Sequence, residues 1–141
     1  MAIVVVDASV VVKWVLPEPE TGAALQLLHD FESGQLDLIA PRLLLSEIAS
    51  SLTKRHRRHE LSAGQALAAL EWVRVRCPRL VDADLTSALH LSLRLSVSLW
   101  DALYVVTAVE RNCEFITADR RLVRAVAGRV PGVRLLSAHA D

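Results

Sequence analysis

The sequence predicts an α/β fold, in which a largely parallel sheet of four or five short strands carries helices on both faces. Short β-branched runs alternate along the chain with longer segments of helical periodicity. The chain has 141 residues, a length that fits one domain with one core. Hydrophobic residues make up 52% and aromatic residues only 4%, which indicates a packed and mostly aliphatic interior.

The strands are expected at short apolar runs. Residues 2–6 are β-branched and end at Asp-Ala-Ser, as a buried strand would. Similar runs occupy residues 36–40, 114–118 and 133–136, and a brief extended piece follows Pro78. We therefore expect four strands and a short fifth.

Helices are expected between these strands, and most of their ends carry recognisable signals. Pro41 opens a long helix, because proline suits a first helical turn. Ser62, Ser98 and Asp119 are expected to cap the helices that follow them. The predicted helices lie at residues 21–33, 41–58, 62–77, 85–95, 98–111 and 119–127.

Charge and cysteine content say little about partners, and the N-terminal segment bears on the location. The 16 basic and 16 acidic residues cancel, so net charge says nothing about partners, although basic residues cluster at 54–59. Cys77 and Cys113 lie far apart, without the spacing of a disulfide framework or zinc site. Because the apolar N-terminal segment is interrupted by Asp7 and Lys13, it predicts neither a signal peptide nor a membrane span. A cytoplasmic location is expected.

Four carboxylates carry the functional signal. Asp7, Glu47, Asp101 and Asp119 each lie inside or beside an apolar stretch without a charge partner on the same segment. A buried unpaired carboxylate is costly, so four of them suggest a shared neutralising partner.

Their positions suggest one site. Asp7 and Asp119 follow predicted strands, and Glu47 and Asp101 lie in early helical turns. The carboxyl ends of parallel strands meet at one edge of a sheet, where sites form. Converging carboxylates favour a hard divalent cation such as Mg²⁺ or Mn²⁺, and such an ion suits phosphoester hydrolysis.

Three of the four acids also have a purely structural explanation. Asp101 could complete a capping box with Ser98, Asp119 could be only a helix N-cap, and Asp7 could be a turn residue. Glu47 is the hardest to explain in this way, because Ser50 and Ser51 leave it without an intrahelical cation.

The segments around the four acids resemble a known family in the expected order. They read VVDASV, PRLLLSEIASSL, SLWDALYVVTA and FITADRRL, and together they span nearly the whole chain. The chain resembles a PIN domain, and within that superfamily the toxin component of VapBC-type toxin–antitoxin pairs. This likeness implies a single PIN-like domain over residues 1–141, built as a three-layer α/β/α sandwich.

The resemblance implies a Mg²⁺- or Mn²⁺-dependent endoribonuclease that leaves a 5′ phosphate. It assigns catalysis and metal binding to Asp7, Glu47, Asp101 and Asp119, with Ser9 and Thr117 in support. It also implies a VapB-type antitoxin that covers the site, and a homodimer. Ser50 and Trp100 depart from the family pattern, where Asn and a smaller or different aromatic residue are usual.

Basic residues near the acids are candidates for RNA binding. Arg120, Arg121 and Arg124 follow Asp119, and Lys54 and Arg55 end the helix of Glu47. The cations at 54–59 could instead be a solvated helix end.

Several other side chains are expected to have structural roles. Lys13 is expected at the surface, although it could touch phosphate. Trp14, Trp72 and Trp100 are expected in the core or an interface rather than as platforms for base stacking. The early apolar residues Val11, Val12, Leu25 and Leu28 could exceed what a small core buries and could contact a partner.

Two other functions compete with a nuclease. A non-catalytic PIN-like module could bind RNA or protein. An aspartate-based phosphotransferase or receiver domain is disfavoured, because Ser9 stands where a phosphatase needs a second Asp, and the late strands lack a lysine.

Overall fold

The computed structural model describes residues 1–139, and its centre is one parallel sheet. The predicted domain 1–141 extends two residues beyond that range. The strands are β1 (Ala2–Val6), β2 (Leu36–Pro41), β3 (Arg79–Val81), β4 (Glu114–Thr117) and β5 (Val133–Leu135). Their order is β3-β2-β1-β4-β5, and all four pairings are parallel. The predicted sheet is confirmed, and the brief extended piece after Pro78 is the edge strand β3.

Helices connect the strands. They are α1 (Ala8–Val11) with a 3₁₀ turn over Val12–Trp14, α2 (Thr21–Glu32), α3 (Leu44–Arg57), α4 (Ala63–Val75), α5 (Leu85–Leu95), α6 (Leu99–Glu110), α7 (Arg120–Val126) and α8 (Leu136–His139). The caps predicted at Ser62, Ser98 and Asp119 are confirmed, since each side chain accepts a hydrogen bond from the backbone of the first helical turn.

The strand order reverses direction once, and this reversal places the site. The chain moves from β1 through β2 to β3 on one side, then crosses to β4 and continues to β5 on the other. Since such crossovers are right-handed, connections running in opposite directions lie on opposite faces. The α/β/α layering follows, and β1 and β4 become neighbours at the switch point, where open parallel sheets hold their sites.

The core is aliphatic around one aromatic pair. Helix α6 packs against β1, β2 and β4, and its Tyr104 stacks on Phe115 with ring centroids 5.8 Å apart. Val11 and Val12 are buried in this core. The expectation that these early apolar side chains exceed what the core can bury is therefore wrong for both valines and for Leu28, which is also buried. Leu25 is exposed.

One predicted boundary is wrong. Pro41 ends β2, where it is paired with Val81 of β3, and α3 begins only at Leu44. Proline fits this strand end because it donates no hydrogen bond, and the two residues that follow turn the chain into the helix.

No single helix among residues 1–139 is long and apolar enough to cross a membrane. The pair α5 and α6 reaches the length only together, and it bends by 115° at its break.

Candidate active site

Asp7 stands at the switch point of the sheet. It directly follows β1, whose last paired residue, Val6, lies opposite Ile116 of β4. Asp7 is therefore level with Thr117, the last residue of β4. Its side chain is only 6% exposed.

Two hydroxyl groups hold the Asp7 carboxylate. Ser9 Oγ donates to Oδ1 at 2.6 Å, and Thr117 Oγ1 donates to Oδ2 at 2.7 Å. Each hydroxyl is fixed in turn by a backbone N–H of the turn after β4. Ala118 N donates to Ser9 Oγ at 2.9 Å, and Asp119 N donates to Thr117 Oγ1 at 3.1 Å. The turn after β4 thus orients Asp7 through both oxygens. Ser9 and Thr117 both contact Asp7, and their support of catalysis stays a prediction.

Burial makes the ionised form of Asp7 unfavourable. It raises the pKa of this carboxyl from 3.8 to about 6, although the bonds from Ser9 and Thr117 oppose the rise. The negative charges of Glu47 and Asp101 raise the pKa further. These three carboxylates therefore share one electrostatic environment.

Glu47 and Asp101 reach this environment from helix starts. Glu47 lies in the first turn of α3, and its pKa is raised by burial and by the charge of Asp101. Asp101 lies in the first turn of α6, and burial together with the charge of Asp119 raises its pKa. Its backbone N donates to Ser98 Oγ at 3.1 Å. The helix-capping role of this segment is present, but it engages the backbone of Asp101.

Asp119 serves as a helix cap, and its charge also acts on Asp101. Its Oδ1 accepts from the backbone N of Arg121 at 3.0 Å and of Leu122 at 3.2 Å. The capping explanation is therefore real for this residue. The two capping hydrogen bonds use only Oδ1, and the charge of Asp119 still acts on Asp101.

The acids fit a hydrated divalent cation better than a closed ligand cage. Within residues 1–139, no three acidic, histidine or cysteine side chains converge closely enough to bind one ion directly. Mg²⁺ usually takes one or two carboxylates and keeps several waters, so complete convergence is not required. The donors are oxygens, which suit Mg²⁺ or Mn²⁺. Asp7, whose carboxylate is held in one orientation, could hold such an ion.

Tyr104 is a site residue that the sequence analysis missed. Its hydroxyl is buried and, among the described residues, has no hydrogen-bond partner of ordinary geometry. Burial raises its pKa, and the neighbouring carboxyls of Glu47, Asp7 and Asp101 raise it further. A neutral phenol near three carboxyl groups can act as a hydrogen-bond donor to one of them. In the sequence, Tyr104 looked like one more apolar position of α6, three residues after Asp101.

Lys13, Glu18 and Arg55 form one wall of a crevice beside the site. Lys13 is 9% exposed, so its predicted surface position is wrong. Its Nζ donates to the Pro19 carbonyl at 2.9 Å and lies 3.5 Å from Glu18 Oε1, while Arg55 pairs with the other oxygen of Glu18. The crevice, of about 380 Å³, also reaches Glu47. Of the cations at 54–59, Arg55 is therefore held in place at the site's edge.

The other predicted RNA contacts lie in different surroundings. Lys54 lines a second crevice with Glu47. Arg120 is exposed and lies 3.4 Å from Glu20, and Arg121 and Arg124 are exposed on α7. Their contact with RNA remains a prediction.

Thr117→Val tests the hydroxyl support of Asp7. Valine keeps the shape, but it leaves Asp7 Oδ2 and the backbone N of Asp119 without their shared partner. For the RNA cleavage that the resemblance implies, we expect a fall of about 10- to 100-fold, the effect of losing a group that orients a metal ligand. Initial cleavage rates would measure it.

Thr107→Val is the matched control. Thr107 is equally buried, but its hydroxyl donates to the Leu103 carbonyl within α6, at 2.7 Å. Its cleavage rate should stay close to that of the unchanged protein. Equal losses in the two variants would mean that Thr117 acts only through stability.

A parallel sheet with acids at its switch point defines an α/β protein with a carboxylate site, and comparison with known proteins identifies its family. The PIN domain family model matches residues 4–128. Ribonuclease VapC9 of Mycobacterium tuberculosis is 36% identical over 107 residues, which cover 72% of this chain and 84% of that protein. The chain belongs to the PIN domain family.

Solved structures agree on the fold. PAE2754 from Pyrobaculum aerophilum superimposes with a TM-score of 0.73 at 22% identity, covering 98% of this chain and 94% of its own. VapBC2 from Rickettsia felis, bound to a DNA fragment from its promoter, gives a TM-score of 0.66 at 15% identity, covering 94% and 96%. The predicted PIN-like sandwich is confirmed.

Proposed function

We propose that this protein is a Mg²⁺- or Mn²⁺-dependent endoribonuclease and the toxin of a toxin–antitoxin pair. The observation that carries the proposal is the Asp7 carboxylate, which is buried, oriented through both oxygens and surrounded by other acids. Such an arrangement costs stability and gains nothing for the fold, whereas a metal ion would neutralise it. The kinship with a VapC ribonuclease supports RNA as the substrate.

The residues would divide the work. Asp7, Asp101 and Asp119 would hold the ion directly or through water, and Glu47 would bind a second ion or position the attacking water. When bound, the ion would polarise the scissile phosphate and stabilise charge on the departing oxygen. Ser9 and Thr117 would keep Asp7 aimed at the ion, and the cations Lys54, Arg55, Arg120, Arg121 and Arg124 would attract the RNA backbone.

A VapB-type antitoxin and a homodimer complete the proposal. The structural neighbour from Rickettsia felis is a VapBC complex, which supports an antitoxin partner for this chain. The exposed leucines of α5, Leu85, Leu89 and Leu93, repeat every four residues and offer an apolar stripe for a protein contact. A cytoplasmic location also stays a prediction.

A non-catalytic PIN-like binding module is the second candidate. The observation in its favour is that no three metal-binding side chains converge in the described residues. Such a module would keep the acids without using an ion.

Manganese titration separates the two functions. We expect millimolar Mn²⁺ to raise the melting temperature, because an ion that binds only the folded state stabilises it. The increase should shrink in Asp101→Asn and persist in Asp37→Asn, whose carboxylate pairs with Arg79 at the opposite end of the sheet. Melting curves with and without the ion would measure it. An unchanged melting temperature, with no RNA cleavage, would favour the binding module.

A further inference from the structure

The three tryptophans of this chain have different surroundings. Trp14 is buried, and its Nε1 donates to the Ala24 carbonyl at 2.8 Å. Trp72 is half-buried under the guanidinium of Arg76, 4.0 Å from the ring centroid. Trp100 is 57% exposed, directly before Asp101 in the first turn of α6. Trp100 is therefore not in the core, and an interface position for it stays a prediction.

Trp100 forms one side of a crevice whose other side is α3. The crevice has a volume of about 370 Å³, within the range of small-ligand sites. Its α3 side repeats every three or four residues, so it is one face of that helix. The lining residues from this segment are Leu43, Ser46, Glu47, Ser50 and Lys54. Because Glu47 belongs to the acidic site, the crevice opens directly beside it.

Ser50 and Trp100 both line this crevice. Ser50 contributes a short hydroxyl, and Trp100 contributes a wide indole that is largely exposed to solvent. The open space of the crevice therefore lies next to an aromatic side chain and beside the acidic site.

The crevice combines three features that a nucleotide requires. The indole face offers a stacking surface, Lys54 offers a cation for phosphate, and the hydroxyls of Ser46 and Ser50 offer hydrogen bonds to a base edge. We propose that Trp100 stacks one unpaired base of the RNA next to the cleaved linkage, with Lys54 on its phosphate. This rests on the proposed function, because it takes RNA as the substrate.

The lining favours RNA over a protein partner. Leu43 is the one aliphatic side chain among its lining residues, and the others are polar, charged or Trp100 itself. The centre of a protein interface is depleted in charge, whereas single-strand binding grooves pair an aromatic platform with cations. Stacking requires an unpaired base, and the serine hydroxyls can contact its edge, so this site selects for an unpaired nucleotide.

Replacing Trp100 by Leu and by Phe tests the stacking. Binding of a short, labelled single-stranded RNA would be followed by fluorescence anisotropy in EDTA, where cleavage does not interfere. Trp100→Leu should weaken binding about tenfold, the effect of losing one base–aromatic stack. Trp100→Phe should retain most of the affinity. Trp72→Phe is the matched control, and its affinity should be unchanged.

A scan of abasic sites through the same RNA locates the contact. The unchanged protein should lose about tenfold in affinity at one position, and Trp100→Leu should be insensitive there. RNA should also quench part of the tryptophan fluorescence, and that part should vanish in Trp100→Phe. Identical abasic profiles for the unchanged protein and Trp100→Leu would overturn the proposal. Unchanged RNA affinity in Trp100→Leu, with a weakened oligomer, would overturn it in favour of a protein contact.

Failure of the proposed function gives a different result. If the protein cleaves no RNA under any metal, yet the unchanged protein loses affinity at one abasic position where Trp100→Leu does not, the stacking site stands and the nuclease does not. If cleavage is normal and Trp100→Leu binds every abasic RNA as the unchanged protein does, the nuclease stands and the stacking site does not.

Discussion

Asp7→Asn is expected to abolish RNA cleavage, with a loss of about 100-fold or more, while the fold stays intact. The amide lacks the charge that an ion requires, but it keeps the shape. Ser9 and Thr117 are hydroxyls, so each can turn from donating to accepting and still satisfy the new amide. Rates with Mg²⁺ or Mn²⁺, and sequencing of the 5′-phosphate RNA ends, would measure the loss.

Asp37→Asn is the control for this loss. It removes another strand carboxylate, but one paired with Arg79 at 2.7 Å, away from the acids. Its cleavage rate should remain near that of the unchanged protein. Full activity in a well-folded Asp7→Asn protein would contradict the assignment of the site.

The same substitution is expected to stabilise the metal-free protein near neutral pH. The pKa of Asp7 is 3.8 ordinarily and about 6 in the folded state, so between these values the folded state binds more protons than the unfolded state. The free energy of unfolding therefore falls as pH rises through this window, and above it the whole cost of ionising Asp7 remains. That cost is about 3 kcal/mol.

Asp7→Asn removes this cost. At neutral pH in EDTA, its free energy of unfolding should exceed that of the unchanged protein by up to about 3 kcal/mol, and the difference should disappear below about pH 4. Urea denaturation across this range would measure it. Asp37→Asn, which loses an ion pair, should show no such gain. A less stable Asp7→Asn protein at neutral pH would mean that the two hydroxyl bonds outweigh the burial of the charge.

Opposite effects of one substitution would separate function from folding. Loss of cleavage alone could come from a damaged fold. Loss of cleavage together with a gain in stability would mean that the Asp7 carboxylate destabilises the metal-free folded state and serves function instead. This is expected for a site that binds a cation.

Local sequence patterns were enough for the sheet and for most helix ends. A β-branched run before Asp7 indicates a strand wherever it packs, because side-chain shape and burial act within a few residues. A serine before an apolar helix indicates its cap for the same reason, and Ser62 and Ser98 have that role. Pro41 was misplaced because its suitability for a strand end depends on pairing with Val81, forty residues later in the chain.

The sequence singled out the four acids and, through the resemblance, Ser9 and Thr117, but it did not reveal the other groups around them. The order of acids and strands determined that Asp7 and Asp119 come to one edge, since parallel strands end together. Only the tertiary structure decided how Thr117 and Ser9 hold Asp7, that Tyr104 lies near Glu47, that Lys13 is buried and that Trp100 is not. Each of these depends on which distant segments pack together, and pairwise contacts between such segments leave no periodic trace in either one.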